Sequence, residues 1–352
     1  MPAPTNAVIF DLGDVPLQHG ATLRDAFLAY VTYGELNEDR SNVVVIPTWY
    51  SSWHDQNDWM IGPDRAIDPS RHFVLVPNML GNGLSSSPSN TPPPYDRARF
   101  PDVTFSDQIE AKYRLLTEKF SVTSIELVTG SSMGAAQTYQ WAVSHPELVK
   151  RAAPIVGAPV TAEHNQVFLR SLREALRLDP AFAGGWYPED RWPSAGLRAF
   201  ARIYAGWGLS QAFYWNRRYA DLGFSSLEDF LVGFWEGYWL DDRDPNNLLT
   251  LLWCWEHGDV GNTPASDFTP GFGGDGVAAL RSIRCPLFAM PARTDLYFPP
   301  EDERHWSQFI EKGEVRVLDT EWGHFGGLGN NEPDNVVIDQ HLRDLLSLPP
   351  AD

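Results

Sequence analysis

From residue 40 onward, short apolar runs alternate with stretches of helical periodicity. Val43-Val44-Val45-Ile46-Pro47 and Phe73-Val74-Leu75-Val76-Pro77 are unbroken apolar runs closed by proline, the pattern of strands buried on both faces. Between Phe105 and Phe120, Ile109, Tyr113, Leu116 and Phe120 recur at steps of four, three and four, which marks one face of a helix. Ser124 to Thr129 reads as a strand, 133–144 as a helix and Ala152 to Val156 as the next strand. Strands that alternate with helices build βαβ units, and these predict a mostly parallel sheet flanked by helices.

The rhythm changes between residues 161 and 275. Strand-like runs vanish, helical stretches broken by Pro and Gly take over, and eight of the fourteen Trp residues fall here. It resumes at Cys285 with Pro286-Leu287-Phe288-Ala289-Met290, continues through Val315 to Leu318, and closes in a helix near 335–347. The expected organisation is an α/β core formed by residues 1–160 and 276–352, interrupted by a helical lid over 161–275. An independent second domain is the alternative.

Composition narrows the partners. The chain is 43% hydrophobic and 13% aromatic, enough for a large core, and carries a formal net charge of −19. Such a charge repels nucleic acid and anionic lipid surfaces, so neither is an expected partner. With two cysteines, Cys254 and Cys285, there is no disulfide framework and no CxxC-type zinc set, and no metal is expected. The N-terminus lacks a basic-then-apolar leader and no window is apolar enough to span a membrane, so a cytoplasmic location is expected.

The chemistry lies at Leu127-Val128-Thr129-Gly130-Ser131-Ser132-Met133-Gly134, a strand, then G-x-S-x-G, then a helix. Small residues are needed on both sides of Ser132 because a nucleophile on a strained strand-to-helix turn leaves no room for side chains there. The turn also aims the Met133 N–H at a developing oxyanion. A serine needs a base to take its proton and a carboxylate to orient the base, in the chain order Ser, acid, His. Asp295 sits where the strand from Pro286 runs out into a loop, whereas Glu301 and Asp302 would fall in the next helix. His324 follows the last strand between Gly323 and Gly326-Gly327. His145, His164 and His257 precede the acid, and His305 and His341 fall in helices. Ser132, Asp295 and His324 are therefore the expected triad of an α/β-hydrolase fold. The turn Pro47-Thr48-Trp49-Tyr50-Ser51-Ser52 is expected to give a second oxyanion donor, the Trp49 N–H; the alternative is that Trp49 simply packs under the lid.

With those residues placed, the chain resembles the homoserine O-acetyltransferase family over nearly its whole length. The likeness runs through Tyr30 to Asn37, Pro77-Asn78-Met79-Leu80-Gly81, Phe100 to Thr104, the Gly130–Gly134 elbow with Gln137, Asp179-Pro180 with Gly184 to Tyr187, and Asn246 to Leu249. The resemblance implies a homodimer paired through the lids. It also implies an Asp directly after the catalytic His, which helps to hold the amino acid's ammonium group. Here that position is Phe325, and an apolar ring cannot replace a carboxylate facing a cation. Of the family's lid Arg and its Tyr partner, the Arg matches Arg202 after a one-residue shift and the Tyr is unmatched. The His of the family's oxyanion turn is missing as well.

These departures fall on the acceptor side. The expected function is hydrolysis of a small-molecule acyl ester, short and acetyl-type, with no cofactor; Trp207, Trp215, Trp235 and Trp239 of the lid suggest an apolar pocket for it, the alternative being that they pack as lid core. The alternative is an acyltransferase to a small alcohol or thiol, with acetyl-CoA as donor. A non-catalytic binding protein is the third reading, which a fluorophosphonate label directed at Ser132 separates from the other two.

Overall fold

The computed structural model describes residues 3–188, 190–240 and 243–350. Eight strands form one sheet in the order β1-β2-β4-β3-β5-β6-β7-β8. They are β1 Val8–Pro16, β2 Thr22–Tyr33, β3 Val43–Val45, β4 Phe73–Pro77, β5 Ile125–Ser131, β6 Ala152–Ile155, β7 Leu287–Ala289 and β8 Gly313–Val315. The β1–β2 and β2–β4 pairings are antiparallel, and every pairing from β4 to β8 is parallel.

The interior strands β3 and β4 are buried along their length, which is why they read as apolar runs rather than alternations. One face of the sheet packs Val43, Val45, Leu75, Ile125 and Val128 against α1 (Phe105–Arg114) and α2 (Met133–Ser144). The other face packs Val44, Val74, Leu127 and Phe288 against Ile338, Leu342 and Leu345 of a C-terminal helix, Glu332–Ser347.

Between β6 and β7 the chain folds into helices. The longest are α3 (Glu163–Arg177), α4 (Ser194–Gly208) and α5 (Pro245–Glu256). Their interior is a separate aromatic cluster that includes Phe168, Phe200, Tyr204, Trp235, Trp239 and Trp255, together with Tyr50 and Tyr297 from the sheet side. Most of the insertion's aromatic side chains therefore pack over the C-terminal ends of the strands. Among the described residues, no helix is long and apolar enough to cross a membrane.

Two elements differ from the sequence expectation. The N-terminal hairpin β1–β2 gave no periodic signal, because β1 is largely exposed and its register slips at Asp11/Gly13 and Gly13/Val15. The final strand closes at Val315 instead of running from Val315 to Leu318. Arg316 and Leu318 still donate backbone hydrogen bonds to Ala289 and Pro291, so the ladder frays towards the site rather than stopping.

Candidate active site

β5 ends at Ser131 and α2 begins at Met133, which leaves Ser132 alone on the turn with φ 57° and ψ −120°. A non-glycine residue there costs about 1–3 kcal/mol, and its surroundings hold it in place. Close packing explains the flanking glycines: a Cβ on Gly130 would lie 2.9 Å from the Gly134 carbonyl group, and one on Gly134 would lie 2.6 Å from the Pro47 oxygen. The elbow is also tied to the loop opposite, since Ser131 Oγ donates to the Gly327 carbonyl at 2.6 Å.

Asp295 and His324, 29 positions apart, meet with Nδ1 2.7 Å from Oδ2. The other carboxylate oxygen of Asp295 accepts the Tyr297 and Phe298 N–H groups at 3.0 and 3.1 Å, so the group is held from both sides. Thr294 Oγ1 donates to the Thr320 carbonyl and accepts the Gly323 N–H, stitching the acid loop to the His loop. Gly323 has φ 59°, and a Cβ there would lie 2.9 Å from the Ser210 nitrogen, which is why the loop can turn sharply before His324. The Tyr297 ring lies 4.4 Å from the imidazole centroid and the Phe298 ring 5.6 Å. Both imidazole and carboxylate are buried. With Nδ1 bonded to Asp295, Nε2 is the ring nitrogen free of that bond, and the imidazole lines the cavity described next.

Ser132, His324 and Phe325 line one cavity of about 370 Å3, within the range that small ligands occupy. Tyr204, Trp235, Trp239 and Tyr297 supply its apolar wall, and the exposed Asp55 and Asn330 also line it. Phe325 packs on Trp235 and Phe234, with ring centroids 5.2 and 6.0 Å apart.

Trp49 also lines this cavity, and its N–H donates to Ser52 Oγ at 2.8 Å. Met133 N–H opens α2, in the first turn, whose amides no intrahelical carbonyl reaches. Arg202 corrects the expectation of a substrate contact. It does not line the cavity, and its guanidinium is committed to Glu236 at 2.6 Å and Glu228 at 2.5 Å on the outer side of α4. The one-residue shift places the Arg on an outward helix face.

Glu301 and Asp302 lie on α6 (Pro300–Ser307), and His324 pairs with Asp295 instead. His145 caps α2 beside Tyr113, where burial pushes its imidazole down to about 4. Of the four lid tryptophans that suggest an apolar pocket, Trp235 and Trp239 line the cavity, whereas Trp207 and Trp215 do not, and Tyr204 joins the wall with no signal of its own in the sequence. Tyr297, two residues after the acid, is the one that the acid loop itself could have indicated.

Behind the site, α2 and α6 are joined by a buried pair, Tyr139 OH donating to Glu303 Oε2 at 2.5 Å. Burial pushes the Glu303 carboxyl up from 4.5 to about 8. A raised acid has its full stabilising effect below its unfolded value, and that effect is lost as pH rises through the folded one. The loss therefore spans about pH 4.5 to 8. Glu303→Gln keeps an acceptor for Tyr139 without an ionisable group. It is expected to match wild-type stability at pH 5 and to exceed it at pH 9 by a few kcal/mol (about 2–5), several degrees in Tm. Parallel melting curves for the two proteins across that range would contradict this.

A model of the alpha/beta hydrolase fold matches residues 42–330. The ethyl acetate hydrolase of Pseudomonas veronii is 39% identical over 342 residues, 97% of this chain and 95% of that protein. The solved structure of an acetylester hydrolase from Corynebacterium glutamicum superposes with a TM-score of 0.93 at 37% identity, covering 97% of this chain and 96% of that one. The homoserine O-acetyltransferase of Trichormus variabilis is 28% identical over 323 residues, 88% of this chain and 86% of that protein.

Proposed function

The chain belongs to the alpha/beta hydrolase fold family, in the branch similar to homoserine O-acetyltransferases, and we infer that it is a serine hydrolase of short acetyl-type esters working through an acyl-enzyme on Ser132. The observation that carries this reading is the 2.7 Å Asp295–His324 pair, whose imidazole lines one aromatic-walled cavity with a serine on a strained elbow.

In the proposed reaction, His324 Nε2 takes the Ser132 proton as Oγ attacks the ester carbonyl. The carbonyl electrons move onto an oxyanion facing the Met133 N–H, with the Trp49 N–H, shared with Ser52 Oγ, as second donor. Collapse breaks the bond to the alkoxy oxygen, and His324 returns the proton to the leaving alcohol. Water then repeats the sequence, His324 taking its proton, to release the carboxylic acid and restore Ser132. Asp295 fixes the imidazole and stabilises it while it is charged. The steps balance with ester and water alone, and no cofactor is proposed.

Water is the acceptor in this reading because the wall beside His324 is the Phe325 ring. A homoserine ammonium placed there would lose its hydration without a counter-ion beside it, at a cost of about 3–5 kcal/mol, or roughly 10²–10³-fold or more in efficiency. Transfer from acetyl-CoA to homoserine is the weaker reading. Incubation with acetyl-CoA and homoserine is expected to yield no O-acetylhomoserine by mass spectrometry. Its formation at an enzyme-like rate would replace the hydrolase with a transferase. Phe325→Asp alone is not expected to create transfer, since Arg202 points away from the cavity.

We also propose that residues 161–275 act as the lid over the cavity, that the protein works in the cytoplasm, and that it pairs as a homodimer. Trp215 (87% exposed), Leu227 and Val232 put apolar surface on the outside of the insertion, which supports pairing there. Sedimentation at micromolar concentration should show twice the 39.5 kDa chain mass, and a purely monomeric boundary would reject the dimer.

A further inference from the structure

A buried polar chain joins the two strips of backbone that present the oxyanion donors. Gln137, on the second turn of α2, has no exposed surface. Its Nε2 donates to the Thr48 carbonyl at 2.9 Å and to the Met133 carbonyl at 3.0 Å. Its Oε1 accepts from the ammonium of Lys112 on α1, which is itself fully buried. The two carbonyls settle which way the amide faces. Flipping it would set the NH₂ against an ammonium and the oxygen against two carbonyl oxygens.

The Thr48 carbonyl belongs to the same peptide unit as the Trp49 N–H. In a planar trans amide the C=O and N–H point to opposite sides. A donor locked onto the oxygen therefore fixes the Trp49 N–H on the opposite side of that peptide plane, where it also meets Ser52 Oγ. The second bond, to Met133, anchors the same side chain on the first turn of α2, whose leading N–H is the other donor. No covalent link shorter than the loops from Thr48 to Met133 joins these two strips, and the 2.6 Å approach predicted for a Gly134 Cβ to the Pro47 oxygen shows how tightly they abut.

We propose that Gln137, held in orientation by Lys112, is a positioning residue that sets the direction and spacing of the two oxyanion donors. It touches neither substrate nor the reacting atoms. The inference rests on the acyl-enzyme reading above. Burial pushes the Lys112 amine down to about 7, and the role described needs only its hydrogen bond to Gln137, which both protonation states can donate.

The test compares wild type with Gln137→Glu, which keeps an acceptor for Lys112 but removes the donor to Thr48 and Met133. Where that variant fails to fold, the paired replacement Lys112→Met with Gln137→Met is read in its place, since it leaves no buried amine unpaired. Each protein is titrated to completion with a fluorophosphonate, and kcat for p-nitrophenyl acetate is expressed per labelled Ser132. Preorganised oxyanion donors are worth about 10²–10³ in kcat each, so misaiming one should cost on the order of 10–100-fold, with KM shifted less than about threefold. A purely structural role would lower the labelled fraction and leave the rate per site intact. A folded variant whose kcat per labelled site stays within about twofold of wild type overturns the proposal. A wild-type protein that hydrolyses no ester overturns the acyl-enzyme reading itself, before any Gln137 variant is measured.

Discussion

Ser132→Ala is expected to lower kcat for acetyl esters by about 10⁶, the loss typical of removing the nucleophile from such a unit. No other group in the cavity can form the acyl bond in its place. Its neighbours there are mainly aromatic side chains, an imidazole already bonded to Asp295, Ser51, whose hydroxyl pairs with Tyr238 at 3.1 Å, and the exposed Asp55 and Asn330, and Ser132 alone of them stands on the elbow. The fold should survive the change, because alanine only shortens a side chain that is already 2% exposed. The measurement is steady-state hydrolysis of p-nitrophenyl acetate, with circular dichroism to confirm the fold. A folded variant retaining a tenth of wild-type turnover would remove Ser132 from the mechanism.

Asp295→Asn should cost nearly as much, about 10⁴ in kcat, by a different route. The carboxylate accepts from His324 Nδ1 on one oxygen and from two backbone amides on the other. An asparagine satisfies those amides only by keeping its oxygen towards them, which turns its NH₂ onto Nδ1. The imidazole then carries its proton on Nε2 and cannot accept the one on Ser132. KM should change little, since Asp295 does not line the cavity. A kcat within tenfold of wild type would show that another group orients the base. Glu301 and Asp302, on the neighbouring helix, would then be re-examined by the same substitution.

How much of this could be read from the chain depends on how local each signal is. β4 was legible because five consecutive apolar residues are buried together, and α2 because the elbow fixes its start. β1 was not, since an exposed, bulged edge strand has no period to detect. The same division runs through the site. Ser132, Asp295 and His324 were legible because strand ends and chain order constrain each of them separately. Arg202 misled because a match in sequence carries no information about which side of a helix faces the cavity. An apolar pocket under the aromatic insertion was legible from its tryptophans, but not which rings form the wall: Trp235 and Trp239 line the cavity while Trp207 and Trp215 do not, because only the folded insertion decides which of them face it. Gln137 stood in plain view within the elbow motif, yet its two backbone partners lie 89 and 4 positions away, and only the nearer could be guessed.

The central claim is that an acetyl group passes from Ser132 to water. Ethyl acetate is the substrate to use, followed by proton NMR with the purified wild-type protein. Acetate and ethanol should appear in equal amounts, at a rate that homoserine leaves unchanged and that Ser132→Ala abolishes. Ethyl acetate left intact by a protein whose Ser132 still takes a fluorophosphonate label would contradict it, and so would acetyl groups recovered on homoserine instead of as acetate.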